Sequence, residues 1–479
     1  MNGPGSSIEK PDVRMIGDVH DARTDILTFS PEKEKRLVRK LDLWIMPLMM
    51  FTYTLQSYDK GIMRSASQFG FNEDLGLTVV IGHGANGAAI TDDQRYSNAA
   101  MMFYIGYLVG MYPMMYLAQH HSVSRVISLA TFFFWGAVVM STAGCSNYAG
   151  IMVARFVLGL LESAVAPTFT VLVTFWWTRD EQALRTGLWY CCVGVATTIS
   201  PLINWGLGHI KGPLYPWQPI FLVLGAITIL WSFVLFFALP DDPYSTKRLS
   251  ESERALAIQR LKRNNAGTIT HKFDKSQCLE AFRDFKMYSC ALIILLTGVP
   301  SGALGTFATI VINGFGYGHF ESLALTCPIG AITALAILLV SYVTRKWADT
   351  RYLCIIVCAL ISIAGTLICW FGPRSNRGLL FAGIFLIAVQ VASGGLAVSL
   401  AASNIAGHTT SPGPLYRAGF IGSFVCLCGV VVISGVTWVY LRRENAKRGA
   451  KSPATDGSQV PSIEENLTDM DNHAFRYVL

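Results

Sequence analysis

Charge is scarce in this chain. Asp, Glu, Lys and Arg make up only 14% of its 479 residues, against about 25% in an ordinary soluble protein. Runs such as 221–239, 352–370 and 378–400 carry none of the four. Each approaches the ~20 apolar residues that cross ~30 Å of hydrocarbon. With 52% hydrophobic residues and a mean hydropathy of +0.42, this excludes a soluble enzyme. No Walker loop and no HExxH pattern occurs, so primary active transport has no support. The 11 cysteines have neither metal-ligand spacing nor a disulfide pattern. Cys191, Cys192, Cys354 and Cys358 lie inside apolar runs and read as small packing side chains. No cofactor is implied. No apolar stretch follows the initiator at signal-peptide distance, so the first span is expected to act as the insertion signal. The net charge of +7 calls for no nucleic-acid partner, because the basic residues flank apolar runs.

What is present is a series of candidate spans at 41–58, 97–117, 124–144, 148–173, 186–208, 217–239, 288–310, 322–343, 352–371, 378–401 and 418–441. Basic residues collect before the first span (Lys33, Lys35, Arg36, Arg39, Lys40), after the fourth (Arg179, Arg185), in the long interior loop (Lys247, Arg248, Arg254, Arg260) and after the eighth (Arg345, Lys346, Arg351). Alternation puts all of these on one side, expected to be cytoplasmic. The loops around Ser146 and Gly208–Trp217 are nearly uncharged. An odd count leaves the basic block Arg442–Arg448 on the wrong side. Charge therefore implies one more crossing between Leu400 and Phe420, where Pro412, Gly413 and Pro414 leave no room for it. In the interior loop, Ser250 and Glu253 have capping-box spacing ahead of an amphipathic stripe, which predicts a lateral helix. A second short helix is expected over 275–285. The Gly/Ala-rich stretch 78–90 reads as an insert in the first outer loop, whose role the residues leave open.

Charged groups inside a span point to the bundle interior. Asp59 and Lys60 fall near the outer end of the first span, followed by Arg64. Arg155 and Glu162 lie in the fourth, two helical turns apart on one face. A guanidinium in a dry cavity offers a fixed fork that fits a carboxylate. Glu162 could then buffer Arg155 or carry a proton, and a purely structural role for both is the alternative. Lys60 and Arg64 are also long enough to reach the outer interface. Gly159, Gly187 and Gly194 are placed for close helix approach, and Pro201 and Pro328 for kinks in spans five and eight. Trp176, Trp177 and Trp189 suit interfacial anchoring. Phe307, Gln390 and Asn404 offer aromatic or polar surface in the second half.

Several short segments occur in a fixed order: Tyr58-Asp59-Lys60, Glu73-Asp74-Leu75-Gly76-Leu77, Ala154-Arg155-Phe156 through Gly159-Leu160-Leu161-Glu162, Trp177-Thr178-Arg179-Asp180-Glu181-Gln182 to Arg185-Thr186-Gly187-Leu188-Trp189, and Asn404-Ile405-Ala406-Gly407-His408-Thr409. In this order the chain resembles the fungal anion:cation symporter branch of the major facilitator superfamily, with its allantoate, nicotinate and pantothenate permeases. The resemblance covers about 37–448. It implies an all-α polytopic membrane protein of two six-helix bundles, a central site, alternating access and proton-coupled uptake of a small organic anion such as a carboxylate. Asp59 and Arg155 fall in the family's motifs, with Glu162 and Arg185 accompanying them; Lys60 is their neighbour. The implied layout is a tail (1–40), a six-helix half (41–239), a central loop (240–287), a second half (288–441) and a basic C-terminal tail (442–479). The expected protein is a monomer in the plasma membrane with its N-terminus cytoplasmic. Two departures stand out. The loop Gln119–Arg125 lacks the acidic residue of the superfamily's gating loop, and the stretch 404–418 runs on as though most of helix eleven were lost. An exporter or intracellular transporter of a small metabolite, or a non-transporting degenerate member, are the alternatives.

Overall fold

The computed structural model describes residues 30–83, 89–92, 94–121, 126–243, 246, 248–263, 289, 292–298, 300–302, 312, 319–347, 349–373, 376–404 and 443. The first helix, α1 (Pro31–Ala66), begins at Ser30, whose hydroxyl accepts from the Glu32 amide, with Pro31 in the first turn. Its 36 residues span about 54 Å. That exceeds a ~30 Å hydrocarbon core, so its charged first turns project beyond the bilayer. A 3₁₀ turn (Ser67–Phe69) and one helical turn, α2 (Phe71–Asp74), follow. Then comes an antiparallel ribbon of β1 (Val79–His83) and β2 (Ala89–Asp92), pairing Val79 with Asp92 and His83 with Ala89. Most of the Gly/Ala-rich insert is thus this ribbon, which departs from an otherwise helical chain.

Next are α3 (Gln94–His120), a π-helical stretch (Val126–Phe133) running into α4 (Phe134–Thr142), α5 (Tyr148–Glu162), α6 (Val165–Trp176), α7 (Arg179–Tyr190), α8 (Cys192–Gly208) and α9 (Gln218–Ala238). The polar α10 (Glu251–Arg263) precedes α11 (His319–Ala324), α12 (Cys327–Lys346), α13 (Arg351–Phe371), α14 (Arg377–Ala388) and α15 (Val391–Asn404). Among the described residues six stretches are long and apolar enough to cross a membrane: Tyr148–Trp176, Asp180–Gly208, Gln218–Ala238, Cys327–Lys346, Arg351–Phe371 and Arg377–Leu400. They coincide with six expected spans, and α1, α3 and the π-helical stretch with α4 occupy three more. The chain is an all-α polytopic membrane protein with an irregular second half. Most of the expected span at 288–310, the span at 418–441, the short helix at 275–285 and the junction after Asn404, where helix eleven was expected to be lost, lie outside the described residues.

Small residues set the helix contacts. A Cβ on Gly159 of α5 would fall 1.9 Å from the Phe103 carbonyl oxygen of α3, so only glycine permits this approach. Gly194 of α8 and Gly330 of α12 make the same kind of contact, each facing the other's carbonyl oxygen. The Thr198 hydroxyl donates across this contact to the Cys327 carbonyl at 3.2 Å. Pro328, expected to kink span eight, instead lies in the first turn of α12, where no helical hydrogen bond is lost. Trp176, Trp177 and Trp189 are buried rather than interfacial. The Trp177 indole donates to Asp42 at 2.9 Å.

One end of the bundle carries the start of α1, the start of α7 and α10. The Glu253 amide donates to the Ser250 hydroxyl and the Ser250 amide to the Glu253 carboxylate, which completes the expected capping box. Helix α10 is tied down by charge. Arg260, 3% exposed, bridges Glu34 at 2.7 Å and Glu181 at 2.8 Å. Lys40 pairs with Glu253 at 2.7 Å. That bond holds the Glu253 carboxyl below the usual carboxylate range.

Gly159→Leu should destroy monodisperse behaviour in size-exclusion chromatography, whereas Gly206→Leu, with nothing within 4 Å of its would-be Cβ, should leave it intact. Arg260→Met should raise amide hydrogen exchange across α10 by roughly tenfold or more, since charged hydrogen bonds contribute about 1.5–3 kcal/mol each. Lys40→Met should change it by about threefold at most, because the pair is solvent-screened. The Lys40 contribution should be full at neutral pH and fade as pH falls through the lowered Glu253 value.

Candidate functional site

Helix α5 stops at Glu162, and the turn Ser163–Ala164 separates it from α6. A broken helix leaves carbonyls without intrahelical partners and a negative dipole end. Both are met by α1. Gln56 donates through Nε2 to the Glu162 carbonyl at 3.4 Å. Lys60 Nζ lies 3.0 Å from Glu162 Oε1. The Glu162 side chain is fully buried while Lys60 keeps 36% exposure. The pair is therefore asymmetric, with a sealed carboxylate and a lysine whose side chain is only partly covered. Lys60 also sits 5.6 Å from the centre of the Tyr107 ring, in cation–π contact.

Aromatic side chains line the same region. Tyr53, two turns before Lys60 on α1, packs on Trp189 at 4.6 Å and on Tyr190 at 5.9 Å between ring centroids. Tyr190 reaches the second half, fitting against Gly394 and Gly395 of α15, where a Cβ would come within 2.9 Å of its ring or hydroxyl. Gln390 lies in the turn between α14 and α15. It is 1% exposed, and neither amide atom has a hydrogen-bond partner among the described residues. Irregular backbone at membrane depth is tolerated where it lines a cavity or is buried in protein. The turns at Ser163–Ala164 and Val389–Gln390 fit that rule.

A second ionic centre lies about 10 Å further along α5. Asp59 and Arg155 line one tight crevice with Val139, Thr142, Ala154, Leu158 and Phe221, which leaves no room for a water molecule. Asp59 is 1% and Arg155 6% exposed. Asp59 Oδ2 and Arg155 Nη2 have no well-aligned hydrogen-bond partner among the described residues, and the Trp135 indole lies against Asp59. The charges thus face each other across the cleft without closing a bond.

These positions revise the expected pairings. Glu162 is neutralised by Lys60 rather than by Arg155, and Arg155 is grouped with Asp59. Lys60 is turned toward Glu162 and Tyr107. Arg185 is elsewhere. It holds Asp42 through Nε at 3.1 Å and Nη2 at 2.8 Å, roughly 25 Å along α1 from Asp59. Asn404 ends α15, its side chain outside the described residues, as is Phe307. Sequence reasoning missed Tyr53, Gln56, Tyr107 and Tyr190. Tyr53, Gln56 and Lys60 are spaced i, i+3, i+7 on one face of α1, a signal that was present. The tyrosines of α3 and α7 carried none.

Residues 49–425 match the Major Facilitator Superfamily. An uncharacterized transporter of Schizosaccharomyces pombe is 31% identical, covering 95% of this chain and 89% of its own length. The allantoate permease of Saccharomyces cerevisiae is 28% identical over 94% of this chain and 87% of its own. Among solved structures, the proton:xylose symporter XylE superposes with a TM-score of 0.59 at 11% identity, covering 84% of this chain and 88% of that one. The family match spans both halves of the helical bundle, and with it the chain is assigned to the Major Facilitator Superfamily, to which it belongs.

Proposed function

We propose that this chain is a secondary transporter that takes up a small organic carboxylate together with a proton. The observation that carries the reading is the Lys60–Glu162 pair, a fully buried carboxylate held by a lysine whose side chain is only partly covered. An incoming carboxylate offers Lys60 a second anionic partner. Once it takes the ammonium, Glu162 is left in an apolar surrounding without a cation. A buried carboxylate in that situation favours its neutral form. One anion and one proton then cross together, and the exchange leaves the net charge of the site unchanged. Tyr53, Tyr107 and Tyr190 supply aromatic walls for the substrate's body. Gln390 supplies a donor and an acceptor from the second half, with Phe307 and Asn404 as further contributors there. Arg155 and Asp59 provide the neighbouring cation and acid. Arg185 keeps helix ends in register through Asp42.

A relative named for allantoate, itself a carboxylate, supports the substrate class and placement in the anion:cation symporter branch. Alternating access follows from two halves rocking around a midplane site. The halves are 41–239 and 288–441, joined by 240–287, with tails at 1–40 and 442–479. The basic end is cytoplasmic by the distribution of Lys and Arg. The protein acts as a monomer in the plasma membrane.

Cells expressing the chain should accumulate a labelled carboxylate only while a proton gradient stands; uptake indifferent to the gradient would remove the coupling. Glu162→Gln should abolish accumulation but keep counterflow exchange, because the amide neither holds Lys60 nor takes a proton. Arg155→Leu should lower uptake by roughly 30-fold or more at unchanged surface expression, since loss of a buried charged partner costs about 2 kcal/mol and upward. Normal uptake by that variant would sink its role.

A further inference from the structure

Past Asp42, helix α1 carries three charged residues, Asp59, Lys60 and Arg64, and α5 carries two, Arg155 and Glu162. Lys60 holds Glu162, and Arg155 shares a crevice with Asp59. Arg64 is the cation left over. Among the described residues no carboxylate pairs with it, and the titratable groups within its electrostatic reach are the phenols of Tyr96 and Tyr104 on α3. Arg64 lies in the last turn of α1, where the helix dipole supplies about half a unit of negative charge. That falls short of the full unit the guanidinium carries.

Neighbours on two sides fix its place. A Cβ on Gly61 would lie 3.4 Å from Arg64 Nη2 and 3.9 Å from the Ser200 hydroxyl of α8. The guanidinium thus folds back over the bare backbone of Gly61, between α3 and α8 and toward the turn that bears Lys60. Lys60 and Arg64 are four residues apart, so their stems share one face about 6 Å apart along the axis. Tyrosines of α3 accompany both, Tyr107 at Lys60 and Tyr104 at Arg64. Both cations are only partly covered. We propose that Arg64 is a second anion-binding residue beside Lys60, and that the substrate is a short dicarboxylate with one carboxylate on each cation. This inference rests on the carboxylate-uptake reading and narrows its substrate class. A monocarboxylate on Lys60 leaves Arg64 without a full counter-charge. A second carboxylate matches its planar fork. A lipid phosphate at the outer end of α1 is the competing partner, and one seated there would take Arg64 out of substrate recognition.

Glutarate and its monoamide, glutaramate, have the same length and differ by one charge. Calorimetric titration of the full chain in phosphatidylcholine nanodiscs at neutral pH should show glutarate binding about tenfold tighter. Arg64→Gln should weaken glutarate by about tenfold and glutaramate by about twofold at most, so that the two acids become equal. Arg64→Lys, which keeps the charge, should restore most of the preference. Equal binding of the two acids to the unaltered chain, or a preference that survives Arg64→Gln, overturns the dicarboxylate inference and leaves the carboxylate-uptake reading standing. Binding of neither acid overturns both. Glutarate held tenfold tighter by a chain that shows no proton-dependent uptake of it overturns the uptake reading and leaves the two-cation site in place. If Arg64→Gln fails to fold, the comparison of the two acids on the unaltered chain decides alone.

Discussion

The Glu162 carboxylate has no exposure to solvent, and most of the site's architecture follows from keeping it there. A lone ion in such surroundings is prohibitively costly, so a cation must be close and must stay close. The break after α5 lets this happen. It turns a helix C-terminus toward α1, and its dipole adds to the carboxylate in attracting Lys60. Gln56, one turn earlier on α1, takes the freed carbonyl of the same residue. Two groups of one helix thus approach two groups of one residue on another. The close approach of α3 and α5 through Gly159 brings Tyr107 under the ammonium.

Much of this was legible in the residues, and the failures are instructive. Six spans and the capping box at Ser250 follow from hydropathy and from side-chain hydrogen bonding, both local properties. Arg155 and Glu162 were rightly placed on one face of one helix. Their partners were misassigned because sequence spacing reports neighbours along a helix and is silent about the helix across the bundle. The tryptophans failed for a related reason. An aromatic next to basic residues suits either an interface or a core, and Asp42, far away in sequence, drew Trp177 inward. The described parts of the 78–90 insert pair as strands, and strand pairing satisfies backbone groups that an uncharged loop cannot satisfy with side chains.

The long-range ionic contacts also divide the molecule. Among the described residues, the ion pairs that α10 makes through Arg260 and Glu253 go to α1 or to the start of α7. The loop segment between the halves is therefore fastened to the first of them. The contacts of α8 and α7 with α12 are of another kind. Gly194 meets Gly330 and Gly187 meets Ser341, backbone against backbone or against a small hydroxyl. Such surfaces pack closely yet have few interlocking side chains, so sliding or tilting breaks no buried charge. The strong ties hold one half rigid, while the weaker contacts lie where two halves of a transporter must change their angle. Tyr190 against Gly394 and Gly395 sits on that same boundary and packs against Tyr53, two turns from Lys60. A change in the angle between the halves would therefore be felt first by the aromatic side chains beside the Lys60–Glu162 pair.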